Sequence, residues 1–150
     1  RDRSVSRGLG DVYKRQARFY EACHLPLVYN GDLTTVEAMR SVEQRFPRLS
    51  GLMVGRGLLA RPWLAEAYAG DGAMPSDGYA RVARLHDQVF ARYAEVLQGA
   101  HQLLARMATF WEYLLPDVDR RMKKRVLKAR SVEEYTGAVQ NLWHSLQENR

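Results

Sequence analysis

The sequence predicts an α/β unit followed by an all-α segment, on three observations. Two short apolar runs, LPLVYN (25–30) and GLMVG (51–55), each end in a turn signal and are separated by a stretch with helical periodicity. A Gly, Asp, Pro and Ser cluster, AGDGAMPSDG (69–78), follows them as a linker would. Beyond it, apolar residues recur at helical spacing almost to the end of the chain.

The elements follow in order. ARFYEAC (17–23) reads as the end of a helix, and LPLVYN as a strand buried on both faces of a parallel sheet. Thr34-Thr35-Val36-Glu37 is a capping-box pattern, with the Thr34 hydroxyl placed to accept from the backbone of residue 37. The helix it opens carries Val36, Met39, Val42 and Phe46 on one face and runs to about Arg45, before Pro47. GLMVG is the second buried strand, followed by Gly55-Arg56-Gly57 and a short helix beginning near Pro62. Strand, helix, strand, helix in that order is a βαβα unit with parallel strands and a covered sheet. In the second half, Leu85, Val89, Tyr93, Val96 and Leu97 form one stripe, with Gly99 as a break. Leu103, Leu104, Met107, Phe110, Trp111, Leu114 and Leu115 form another, ended by Pro116. A basic segment (118–129) and a segment from Ser131 to about Gln147, opening with the capping pattern Ser131-Val132-Glu133-Glu134, supply two more. Helices of this length bury their stripes against one another, so an antiparallel bundle of about four is expected.

Composition narrows the function. A chain 46% apolar and 27% charged has ordinary globular composition, neither disordered nor fibrous. Its apolar runs fall well short of the roughly 20 residues a membrane span needs, and its first residues lack the apolar core of a signal peptide. Cys23 is the single cysteine, which excludes an internal disulfide and a cysteine-based zinc cluster, and His24, His86, His101 and His144 show no short pairing spacing. The expectation is a cytoplasmic protein without a metal. The net charge of +6 is local: RRMKKRVLKAR (120–130) holds seven positive charges and no negative one, as polyanion-binding segments do.

SRGLGDVYKRQ (6–16) has neither helical nor strand periodicity and resembles the in-frame translation of a transposase sequencing adapter, DVYKRQ matching the transposon end. Residues 1–16 are therefore expected to be non-native, and the native reading to begin near Ala17 within a longer gene.

The chemistry concentrates at the carboxyl ends of the two strands, where open α/β sheets and barrels bind ligands. Glycine there allows close backbone approach, and adjacent N–H groups can point at phosphate oxygens. Arg56 adds a charge-assisted contact to the same anion. On composition and spacing alone, NGD could equally be an ordinary turn and GRG a strand cap.

LPLVYNGDLTTVEAMR followed by LSGLMVGRGLLARPWL resembles the last two βα units of the tRNA-dihydrouridine synthases. The shared signature comprises Asn30, Gly31, Asp32, Glu37, Gly55, Arg56, Gly57, Ala60, Pro62 and Trp63; it covers about 25–68 specifically and about 85–142 more loosely. The resemblance implies the last two βα units of a TIM barrel (17–70), a linker (71–77) and a helical tRNA-binding domain (78–150). It implies FMN as cofactor, its phosphate held by Asn30, Gly31, Asp32, Gly55 and Arg56, with Asp32 fixing the turn instead of touching the anion. It also implies NADPH as reductant and reduction of the C5–C6 bond of a uridine in tRNA. The family's proton-donating cysteine lies upstream of the matched units and Cys23 is no substitute, so the chain alone is expected to be inactive and monomeric, with no catalytic residue of its own. Beside such a barrel the basic run becomes an RNA contact through Arg121, Lys123, Lys124, Arg125 and Lys128, with Val118, Met122 and Val126 facing inward. Trp111 and Trp143 read as core. Two alternatives stay open: another FMN-dependent barrel oxidoreductase, such as the dihydroorotate or old-yellow types, and a stand-alone helical module that binds RNA or protein.

Overall fold

The computed structural model describes the backbone of residues 9–148 and the side chains of residues 15–148. The element order is α1 (Leu9–Ala22), β1 (Val28–Asn30), α2 (Val36–Arg45), β2 (Gly51–Met53), α3 (Arg56–Ala60), α4 (Leu64–Ala69), α5 (Gly78–Val96), α6 (Ala100–Tyr113), α7 (Arg120–Lys128) and α8 (Val132–Glu148). Helix α1 ends where ARFYEAC predicts, but it also runs back through residues 9–16, where, against the expectation of no periodicity, Leu9, Val12 and Tyr13 stand at helical spacing. Residues 1–8 of the expected adapter-derived segment lie outside the described residues.

Strands β1 and β2 pair in parallel, Val28 opposite Gly51, Tyr29 opposite Leu52 and Asn30 opposite Met53. They are shorter than the apolar runs that encode them, and burial on both faces does not hold. Tyr29 and Leu52 pack with Leu33, Val36, Met39, Leu64 and Ala67 under α2 and α4, whereas Val28 and Met53 are 58% and 57% exposed. The reason is the two-residue alternation of strand side chains: the helices cover one face of this two-stranded sheet and leave the other open.

Helix α2 starts one residue later than the capping pattern suggests. Thr35, not Thr34, is the N-cap, its hydroxyl accepting from the Ala38 N–H at 3.2 Å. Its own backbone N–H and the Thr35 hydroxyl hold the Glu37 carboxyl below its usual range. The helix expected near Pro62 is two short helices. Gly55-Arg56-Gly57 opens α3, the Arg61 N–H closes it on the Gly57 carbonyl at 2.9 Å, and a turn through Pro62 leads to α4.

Four helices, α5 to α8, share one core of Val82, Leu103, Met107, Trp111, Leu114, Leu115, Val126, Tyr135, Val139 and Leu142. The α6 stripe is as predicted. The α5 stripe holds in part: Val89 and Tyr93 pack against the core, which also takes Val82 and His86, while Leu85 and Val96 are 36% and 63% exposed. Helix α7 begins at Arg120, two residues into the basic segment 118–129, because the Asp119 carboxylate caps it, accepting from the N–H groups of Arg121 and Met122 at 2.8 and 2.9 Å. Ser131 caps α8 through the Glu134 N–H at 3.1 Å, and the Glu134 carboxylate reaches back to the Arg130 N–H at 2.8 Å, one residue beyond the usual partner. Trp63 packs against both cores and meets Tyr79 edge-on, ring centres 5.9 Å apart.

Among the described residues, the buried residue of polar type in the helical core is His86. Its Nε2 lies 2.6 Å from the Tyr135 hydroxyl oxygen, which also accepts from Trp111 Nε1 at 2.9 Å, and its Nδ1 lies 2.9 Å from the Asp87 carboxylate. With Trp111 donating to Tyr135, the consistent arrangement has the Tyr135 O–H donating to Nε2 and Nδ1–H donating to Asp87. Trp111 and Trp143 lie against this histidine, as core residues. Burial pushes the His86 pKa down, with Asp87 opposing, and burial pushes the Tyr135 phenol far up. The unfolded chain therefore takes up the His86 proton first as pH falls. Stability is fullest above the unfolded pKa of about 6.5 and declines as pH drops through it toward the lower folded value. Thermal unfolding followed from about pH 7.5 to about 5.5 is expected to show that decline, and His86→Gln is expected to flatten it; equal slopes for the two proteins would count against a buried neutral histidine.

Candidate functional site at the strand ends

Parallel pairing puts Asn30 and Met53 side by side, so the loops that follow, Gly31-Asp32 and Val54-Gly55, leave the sheet at the same edge. The Gly31 carbonyl accepts from the Leu33 N–H at 2.9 Å, a tight turn with Asp32 at its apex. From the second loop Arg56 reaches across, and its Nη2 donates to the Asp32 carboxylate. Both side chains stay largely in solvent, 66% and 77% exposed. A pair so open adds little to stability; its content is geometric. One guanidinium nitrogen engages Asp32, and a guanidinium has five N–H donors in one plane.

The glycines differ in what they permit. A Cβ on Gly57 would fall on the Leu33 carbonyl oxygen and close on the Leu64 and Val54 side chains, so only glycine lets α3 lie against the first loop. A Cβ on Gly31 would meet the Tyr29 ring, whereas one on Gly55 would meet nothing within 4 Å. Gly57 thus sets the approach of the two loops, while Gly55 leaves open space at the start of α3.

Of the predicted cofactor residues, Asp32 and Arg56 are in contact and Asn30, Gly31 and Gly55 lie within one or two residues of them in the same loops. Of the predicted RNA residues, Arg121, Lys124, Arg125 and Lys128 are exposed on α7, with Val126 buried and Val118 and Met122 partly buried beneath. Lys123 departs from that set. Its ammonium donates to the Leu114 carbonyl at 2.8 Å, and burial lowers its pKa against the opposing charge of Asp117. Its position between Met122 and Lys124 on the helix turns it toward the α6–α7 loop.

Sequence reasoning missed Arg61. Its Nη1 donates to the Thr34 carbonyl at 3.2 Å and its Nη2 pairs with Asp117. The sole signal in the sequence was an arginine placed directly before Pro62-Trp63. Among the described residues no group of three or more His, Cys, Asp or Glu could hold a metal ion, and no helix is long and apolar enough to cross a membrane.

Parallel strands with helices on one side and basic and glycine-bearing loops at their carboxyl ends make an α/β element joined to a helical part. The sequence profile of the family described as dihydrouridine synthase matches residues 8–142, and the chain belongs to that family. The family is generally FMN-dependent, acts on tRNA and is built on a TIM barrel. No curated protein matches the chain.

Proposed function

We propose that the chain supplies the last two βα units (17–70), a linker (71–77) and the tRNA-binding helices (78–150) of a flavin-dependent tRNA-dihydrouridine synthase that reduces the C5–C6 bond of uridine with NADPH. The observation that carries this reading, alongside family membership, is the Arg56–Asp32 contact: it joins the loops after two paired parallel strands at their carboxyl edge. Such a junction suits one phosphate. Arg56 offers charge and planar donors, the loops at Gly31 and Gly55 offer backbone N–H groups, and Asn30 sits at the strand end. Asp32 holds the guanidinium from the side instead of meeting the anion, so its own negative charge is already compensated.

The donor set fits the phosphate end of FMN, and it is the phosphate end alone that this pair of loops serves. Bound there, FMN supplies the two-electron relay between the nicotinamide reductant and the uridine. The chain's own part is to anchor: Arg56 and the N–H groups of the two loops would hold the phosphate and so fix one end of the cofactor. Two βα units cannot close an eight-stranded barrel, so residues 17–150 alone are expected to show no uridine reduction.

Arg121, Lys124, Arg125 and Lys128 form the phosphate-contacting face of α7, while Lys123 serves the fold. Phosphate contacts give affinity and register without reading sequence. Charge reversal by Lys124→Glu and Arg125→Glu in the full-length enzyme is expected to weaken tRNA binding. The slope of log-affinity against log-salt should become shallower by about 0.7–0.9 for each phosphate that is no longer neutralised. Unchanged binding at low salt would remove α7 from the interface.

A further inference from the structure

The strand-end loops and the basic helix are joined at few points, and Arg61 stands at the centre of them. Its side chain is mostly covered, 24% exposed. One arm reaches the Thr34 carbonyl, two residues past Asp32; the other reaches Asp117 in the α6–α7 loop, two residues before the cap of α7. Next to it the Leu115 N–H donates to the Ala60 carbonyl at 3.0 Å. Leu115 is buried and holds a positive φ of 47°, which a non-glycine residue keeps only where its surroundings over-determine it. Lys123 of α7 fastens the same loop through the Leu114 carbonyl at 2.8 Å. The segment that sets the direction of α7 is thus held by Arg61 at Asp117 and by Lys123 at Leu114.

The partners explain the residue type. A guanidinium can serve a carbonyl and a carboxylate in two directions at once, whereas a lysine ammonium is a point charge on a flexible stem. With Asp117 76% exposed, the ion pair is worth little as stability. Its effect is on placement, and misplacement of a reacting group by about 1 Å can cost about 100-fold in rate.

We propose that Arg61 is a positioning residue that holds the basic face of α7 in fixed register with the strand-end loops, so that RNA bound by the one presents its base to the cofactor anchored by the other. This rests on the function proposed above. Two readouts test it. In the 150-residue chain, spin labels at Ser41→Cys on α2 and Gln140→Cys on α8, in a Cys23→Ser background, are expected to give one narrow distance distribution. Arg61→Gln is expected to broaden it about twofold or more, with Arg61→Lys between the two. In the flavin-loaded full-length enzyme, Arg61→Gln is expected to slow reoxidation of reduced flavin by saturating tRNA about tenfold or more. Flavin content should stay unchanged and tRNA affinity should move by less than about threefold, since the phosphate contacts remain. Arg61→Lys should recover part of the rate. Asp117→Asn, which keeps the Thr34 contact, should show a smaller loss in the same direction.

An unchanged distance distribution in Arg61→Gln, or reoxidation within about twofold of wild type, overturns the proposal. If Arg61→Gln does not fold, Asp117→Asn decides, and its silence in both readouts also overturns it. Wild-type flavin that tRNA fails to reoxidise overturns the assigned function and this proposal with it, whereas wild-type turnover that ignores Arg61 overturns the proposal alone.

Discussion

Trp111→Ala is expected to destabilise the chain by about 3–5 kcal/mol, the usual cost of emptying a fully buried tryptophan site. Trp111 is 0% exposed, at the centre of the α5–α8 core. Its indole lies against His86 and Trp143, and its N–H is one of the two hydrogen-bond partners of the buried Tyr135 hydroxyl. Truncation therefore removes ring packing and one donor to a buried oxygen together. Against a total stability of about 5–15 kcal/mol the loss is large, and for a domain of this size it lowers the melting temperature by roughly 6–20 °C. Trp111→Phe, which keeps most of the ring volume, should cost less. Differential scanning calorimetry of the two variants checks this; a Trp111→Ala protein melting with the wild type would mean that the four helices do not share this core.

Arg56→Ala in the full-length enzyme is expected to weaken FMN binding by about 10- to 100-fold, the value of a charge-assisted contact to phosphate, and to leave riboflavin binding unchanged. The contrast matters because riboflavin lacks the phosphate. Arg56→Lys should fall between, keeping charge without the planar fork. Asp32→Asn should have a smaller effect than Arg56→Ala, because it loosens the holder and not the contact. Fluorescence titration with both flavins checks the set. Equal losses for FMN and riboflavin would assign Arg56 to the flavin ring or to folding instead.

Helices α2 and α6 were legible because each carries a long apolar stripe and a terminating proline, and the Ser131 cap because it acts on a neighbour three residues on. At the strand ends the meeting of the two loops was legible, since parallel pairing carries both to one end of the sheet, while glycine and arginine by themselves fit a turn and a strand cap equally well. The α5 face was legible in part: Val89 and Tyr93 pack against the core, but its centre takes His86 in place of Leu85 and Val96, because Tyr135, 49 residues away, supplies the partner that makes its burial tolerable. Helix α3 was hidden by its length of five residues and by its glycines, which on propensity argue against a helix. The role of Arg61 was not legible from its place before Pro62-Trp63, since its partners lie 27 and 56 residues away.

The central claim, that the loops after β1 and β2 grip one phosphate, is tested most directly by a crystal structure of the flavin-loaded full-length enzyme. The account predicts one FMN phosphate with charge-assisted N···O contacts of about 2.7–2.9 Å from Arg56 and further contacts from backbone N–H groups of both the Asn30–Asp32 and the Gly55–Gly57 loops. A phosphate touched by only one of these loops, or lying elsewhere while Arg56 remains closed on Asp32, would contradict it.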